Sequence, residues 1–131
     1  MVCLDTSVLV SIIRKDERAI EKLKAEADNG AGVSTTIINL CELYAGAYGS
    51  NDPEKELERV KGIVSALRVL EMNEEASRKY GELVNSQSLR RNPIGDFDLM
   101  ISCIAMEFGE SLATRNSKHF ARVPGLKLES W

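Results

Sequence analysis

Short apolar runs alternate along this chain with longer stretches in which apolar residues return every third or fourth position. Val2-Cys3-Leu4 is the first run and ends at Asp5; Thr6-Ser7 then open an apolar stretch reaching Ile12-Ile13. Run and stretch predict a buried strand followed directly by a helix, with Asp5 at the strand's carboxyl end. Asp16 precedes a second helix over 17–27, with Ile20, Leu23 and Ala27 as its stripe, stopped at Asn29-Gly30. Gly32-Val33-Ser34 is a second strand, and Thr35-Thr36 open a helix through Ala47 whose inner face carries Ile38, Cys41 and Ala45. Asp52-Pro53 start a helix with Leu57, Val60, Val64 and Leu67 inward. Val69-Leu70 is a third strand, and Asn73 caps a helix through Ala76, Tyr80, Leu83 and Val84. Regular structure breaks over Arg90 to Gly95. A further helix runs over 96–106, Ser111 to Thr114 is a strand, Leu126-Lys127-Leu128 alternates like an edge strand, and Trp131 packs against the body. Strand alternating with helix implies a parallel sheet covered on both faces.

Length and composition fit this as one domain, 1–131. With 44% hydrophobic and 28% charged residues, and no apolar run approaching a membrane span, the chain reads as a globular protein without membrane contact. The first apolar run lacks a preceding basic region and contains Asp5, so it reads as structure rather than as an address, and a cytoplasmic location is expected. Cys3, Cys41 and Cys103 lie far apart in apolar segments and read as reduced core residues. A net charge of −3 offers no basic footprint for a simple nucleic-acid-binding module. An enzyme that meets phosphates through bound metal ions escapes this objection, because the protein must then supply anionic ligands.

The acids supply the chemistry. Asp5 sits where open parallel sheets bind ligands, although it could equally cap the following helix. Glu42 interrupts a face that should be buried, where an unpaired carboxylate is costly; a salt bridge is the alternative to a metal or catalytic role. Asp96 and Asp98 share the first turn of an apolar helix. Residues two apart do not share a face, so Asp98 is taken as the inner ligand and Asp96 as a cap or outer ligand. Thr114 and Asn116 follow a strand's carboxyl end, as Asp5 does. The lone His119 lies beside Lys118 without an accompanying acid and reads as a surface or helix-end residue. Three carboxylates converging near ~5 Å would repel by about 3 kcal/mol per pair at an effective dielectric of ~20. Such crowding is expected to raise the pKa of at least one of them and makes sense mainly around a cation. Oxygen-only ligation suits Mg²⁺ or Mn²⁺ rather than zinc.

Four segments in order carry a family resemblance: Leu4-Asp5-Thr6-Ser7-Val8-Leu9, Ser34-Thr35 through Cys41-Glu42-Leu43, Pro93 through Ser102, and Ala113 through Phe120 with Val123-Pro124-Gly125-Leu126. Together they resemble a PIN-domain ribonuclease of the VapC toxin type. The resemblance implies a three-layer α/β/α sandwich around a short parallel sheet, a homodimer, Mg²⁺-dependent cleavage of RNA, and neutralisation by a small antitoxin. It matches Asp5, Glu42 and Asp98 to the core acids, all three as metal ligands with Asp96 as a possible addition. The place often holding a fourth acid is Asn116. Ser7, Asp96, Thr114 and Asn116 would orient the ligands from outside, and Arg90, Arg91, Arg115 and Lys118 are candidates for holding phosphates. A haloacid-dehalogenase-type hydrolase would need an Asp where Ser7 stands. A non-catalytic PIN-like interaction module in RNA metabolism, its metal site degenerate at Asn116, is the alternative.

Overall fold

The computed structural model describes residues Met1–Trp131. Five strands, β1 (Val2–Leu4), β2 (Val33–Thr36), β3 (Arg68–Leu70), β4 (Ser111–Thr114) and β5 (Leu128–Ser130), form one parallel sheet in the order β3-β2-β1-β4-β5. The chain steps outward from β1 to β3 and then returns to the other side of β1. Strand order therefore reverses between β1 and β4, and the crevice at their carboxyl ends is where such sheets bind ligands.

Side chains alternate across the strands and so divide the core into two layers. Val2, Leu4 and Ala113 point to one face, where they pack with Val8 and Leu9 of α1 (Thr6–Ile13), Leu43 and Ala47 of α3 (Ile37–Tyr48), and Val60 of α4 (Pro53–Val64). Leu23 of α2 (Glu17–Asp28) and the terminal Trp131 join that layer. Cys3, Leu70 and Leu112 point to the other face. There they meet Ala76 of α5 (Glu74–Val84), Ile101, Ile104 and Ala105 of α7 (Asp96–Glu107), and Phe120 of α8 (Ser117–Phe120). The expected α/β/α sandwich is the observed one.

Most expected elements are present, and four details differ. Residues 35 and 36 belong to β2; Thr36 caps α3 by accepting the amide N–H of Asn39, and Asn39 returns the contact through its side chain. The buried face of α3 is Asn39, Leu43 and Ala47, whereas Cys41 and Ala45 are exposed, so the inner stripe is displaced by one to two positions from the one expected. Asn39, a polar residue, takes the inner place because buried polar groups of neighbouring elements need its amide. Gln87–Arg91 close a short helix, α6, which Ser86 caps, and the irregular stretch shrinks to 92–95. Strand β5 begins at Leu128, two residues beyond the expected start. Trp131 is buried as expected, its ring 5.9 Å from the Lys22 ammonium.

Exposure separates the three thiols. Cys3 and Cys103 are fully buried, and burial pushes their thiols up to about 12 and about 11. Cys41 is exposed, which corrects the expectation of three core cysteines. One thiol per native chain should therefore react quickly with an aromatic disulfide reagent, and Cys41→Ser should abolish that phase. Rapid reaction of all three in native buffer would contradict the packing of β1 and α7.

Candidate active site

Asp5 follows β1 directly, and its amide N–H extends the β1–β4 ladder to Ala113 O at 2.9 Å. The backbone thus carries the carboxylate into the crevice, where it is only 4% exposed. An ionised carboxylate so placed needs donors, and three side chains supply them. Asn39 Nδ2 donates to Oδ1 at 3.1 Å, while Ser7 Oγ and Thr114 Oγ1 donate to Oδ2 at 3.1 and 2.8 Å. Ser7 also accepts the Arg115 amide N–H at 3.1 Å, and Thr114 accepts that of Asn116 at 3.0 Å. Of the residues expected around the acids, Ser7 and Thr114 contact Asp5 directly, and Asn116 reaches only Thr114, through its backbone N–H.

Glu42 sits half-buried on α3, one helical turn beyond Asn39. The two are linked through Thr6: Asn39 Nδ2 donates to Thr6 Oγ1 at 2.9 Å, and Thr6 Oγ1 donates to Glu42 Oε1 at 2.7 Å. Burial holds the Glu42 carboxyl above the usual glutamate range. The charges of Asp5 and Asp98 push it in the same direction, and the Thr6 hydroxyl opposes them. Both other acids therefore lie within electrostatic reach of Glu42, and the expected crowding falls on this residue.

Asp98 is the third residue of α7, and the amino end of that helix lies at the same edge of the sheet. Its Oδ2 is 2.8 Å from His119 Nε2 on α8. His119 does stand at a helix end, as expected, but the expectation that no acid accompanies it is corrected. Asp98 and His119 stand 21 positions apart, a spacing with no local signature. Asp96 points elsewhere: it is exposed and accepts the Tyr80 hydroxyl of α5 at 3.0 Å. The helix leaves Asp96 and Asp98 on different sides, as their spacing requires.

The basic candidates are less engaged with the acids. The Arg115 guanidinium pairs with Asp16 at 2.9 Å, and Arg90 donates to Asn85 at 3.2 Å. Arg91 and Lys118 are exposed, without an ion pair. Thr6 and Asn39 are the residues that the sequence reading passed over, and Thr36-x-x-Asn39 was a capping signal that could have drawn attention to the second. Beside Thr6 and Glu42 a groove of about 340 Å³ opens between α1, α3 and α4, floored by Val10, Ile13, Leu43, Ala47 and Val60 and edged by Arg14 and Arg59.

No three acidic, histidine or cysteine side chains stand close enough together to ligate one ion directly. Of the four acids expected around the ion, Asp5 and Asp98 lie within electrostatic reach of Glu42, and Asp96 is turned toward Tyr80. The oxygen-only donor set still fits Mg²⁺, which keeps several waters and takes one or two carboxylates. Asp98 Oδ1 and Glu42 Oε2 have no hydrogen-bond donor from the protein, so each retains lone pairs for such a hydrated ion.

The PIN domain family model matches residues 2–126. The chain is 32% identical over 129 residues to the tRNA(fMet)-specific endonuclease VapC of Salmonella typhimurium, covering 98% of this chain and 96% of that protein. It is 27% identical over 128 residues to ribonuclease VapC1 of Haemophilus influenzae strain R2866, with the same coverage. Its fold superimposes on a chain of VapBC2 from Rickettsia felis, crystallised with a DNA fragment from its promoter. The TM-score is 0.93 at 28% identity, over 100% of this chain and 99% of that one.

Two substitutions probe the site. Ionised Glu42 opposes folding, so its penalty is absent below the ordinary glutamate pKa of about 4.3 and complete above the raised folded value. Glu42→Gln should thus stabilise the metal-free protein at pH 7 by about 1 kcal/mol or less, solvent screening being strong at a half-exposed site. The gain should vanish at pH 3, as denaturant titrations at both values would show; a loss at pH 7 would show that the ionised carboxylate is not disfavoured in the folded protein. Asn39→Asp keeps shape but sets an oxygen against Asp5, and should destabilise by about 3 kcal/mol at pH 7 in the same titrations. By its matched segments, its relatives and its fold, the chain belongs to the PIN-domain family and, within it, to the VapC group.

Proposed function

We propose that this chain is a Mg²⁺-dependent endoribonuclease that hydrolyses RNA phosphodiester bonds and serves as the toxin of a toxin–antitoxin pair. The observation that carries the reading is that Asp5 and Asp98, from two other elements, lie within electrostatic reach of Glu42 at the edge of the sheet where strand order reverses. Relatives named ribonuclease and tRNA endonuclease support it.

Asp5 and Asp98 would hold the ion, directly or through water, and Mn²⁺ would serve in its place. A divalent cation bound there supplies Lewis-acid stabilisation of the charge that builds on the phosphate. Asn39, Ser7 and Thr114 fix Asp5 before substrate arrives, so no reorganisation is needed at the moment of reaction. Glu42, whose affinity for protons is raised, is suited to take a proton from the attacking water at Oε2. Water oxygen bonds to phosphorus, the bond from phosphorus to the 3′ oxygen breaks, and that oxygen leaves as a hydroxyl after protonation by solvent. Arg91 and Lys118, free of ion pairs, are the better candidates for holding phosphates; Arg90 and Arg115 have partners to give up.

The antitoxin reading is supported by the VapBC assembly from Rickettsia felis and by the apolar groove beside Glu42. A small partner laid in that groove would bring an arginine within reach of the acids, which a guanidinium can bridge. The homodimer rests on family likeness. The non-catalytic alternative rests on Asn116, which brings no carboxylate to the crevice and contributes a backbone N–H to Thr114.

Purified protein should cleave a mixed RNA pool only with Mg²⁺ or Mn²⁺, and Asp5→Asn or chelator should abolish cleavage. Products should carry 5′-phosphates, read by ligation-based mapping of RNA ends. Cyclic 2′,3′-phosphate ends would point instead to attack by the substrate's own 2′-hydroxyl and overturn the hydrolytic mechanism.

A further inference from the structure

The one histidine of the chain is built into the site more firmly than an exposed helix end requires. His119 Nε2 lies 2.8 Å from Asp98 Oδ2, and no other side chain contacts that carboxylate. An ionised carboxylate only accepts hydrogen bonds, so this contact requires the proton on Nε2. The imidazole meets the ring of Phe120 edge-on, with centroids 5.7 Å apart and planes at 78°. Phe120 is fully buried in the layer beneath.

The segment bearing the ring is tied to the other acid as well. The His119 amide N–H donates to Asn116 O at 3.0 Å, the Asn116 amide N–H to Thr114 Oγ1 at 3.0 Å, and Thr114 Oγ1 to Asp5 Oδ2 at 2.8 Å. A single turn, from Thr114 to His119, thus touches both carboxylates. Asp5 is held by three neutral donors and Asp98 by one, so the placement of Asp98 depends on His119.

We propose that His119 is a positioning residue: by holding Asp98 Oδ2 it fixes the carboxylate with Oδ1 left to bind the cation. The inference rests on the reading of this crevice as a metal-dependent active site. Partners that orient a metal's ligands from outside typically change affinity or activity by about 10- to 100-fold.

Two variants separate positioning from packing. His119→Phe keeps an aromatic ring against Phe120 and removes the donor; His119→Gln removes the ring and keeps an N–H donor. With the full-length protein, His119→Phe should weaken Mg²⁺ binding by about 10-fold or more in calorimetry. It should lower kcat on RNA while leaving KM unchanged, and His119→Gln should recover most of both. Nitrogen-15 spectra of the single imidazole should place its proton on Nε2 in metal-free protein, and titrated Mg²⁺ should shift the resonance. If His119→Phe binds Mg²⁺ and cleaves RNA like the parent, or if His119→Gln is the more damaged variant, the positioning role is overturned while the ribonuclease reading stands. A parent that neither binds Mg²⁺ nor cleaves RNA defeats that reading, and this inference with it.

Discussion

A carboxylate that is almost wholly buried at the end of a strand is the constraint around which this structure is arranged. Removing Asp5 from water costs several kcal/mol unless its oxygens find donors. Ser7 comes from the first turn of α1, Asn39 from the first turn of α3, and Thr114 from the end of β4. The polar requirement of one side chain thus fixes two helix starts and a strand end. The same donors are held by further contacts: Asn39 by Thr36, Ser7 by the Arg115 amide, Thr114 by the Asn116 amide. The crevice is rigid because its polar groups satisfy one another, as a buried network must.

This constraint also accounts for which parts of the structure were legible in the sequence. Apolar periodicity located most of the strands and long helices; β1 is a continuous apolar run because both its faces are buried, whereas β2, equally buried, carries Ser34, Thr35 and Thr36 and was read two residues short. It misjudged α3 because the inward position is taken by Asn39, and a pattern of apolar residues cannot register a buried amide. The displaced stripe explains why Cys41 was assigned to the core. The short α6 escaped for another reason: at five residues it is held by its Ser86 cap and the burial of Leu89 rather than by any repeat.

Asp5, Glu42 and Asp98 were visible as acids that interrupted apolar segments, and their convergence followed from the topology. Their individual partners were not visible. Thr6, Asn39 and His119 are ordinary residues in ordinary places until the chain folds, and nothing in local spacing joins His119 to Asp98. Asp96 shows the converse. It stands out in sequence beside Asp98, yet helical geometry turns it toward Tyr80 and away from the crevice. Proximity along a helix marks which residues share an element, and only the phase of that helix decides which of them share a site.

The three acids are not equivalent, and their hydrogen bonds divide the work. Asp5 has its charge compensated by three neutral donors, an arrangement that keeps it fixed with or without a cation. Glu42 is half-buried, with one hydroxyl and two like charges within electrostatic reach, so its ionised form is the disfavoured one. Asp98 has a single ring nitrogen on one oxygen and the other oxygen open. Environments that hold neighbouring carboxyl groups at different affinities for protons allow one site to bind a cation and move a proton at the same pH. Asn39, a donor to the first acid, also donates to Thr6, whose hydroxyl donates to Glu42, so the amide that buries one carboxylate helps to place the next.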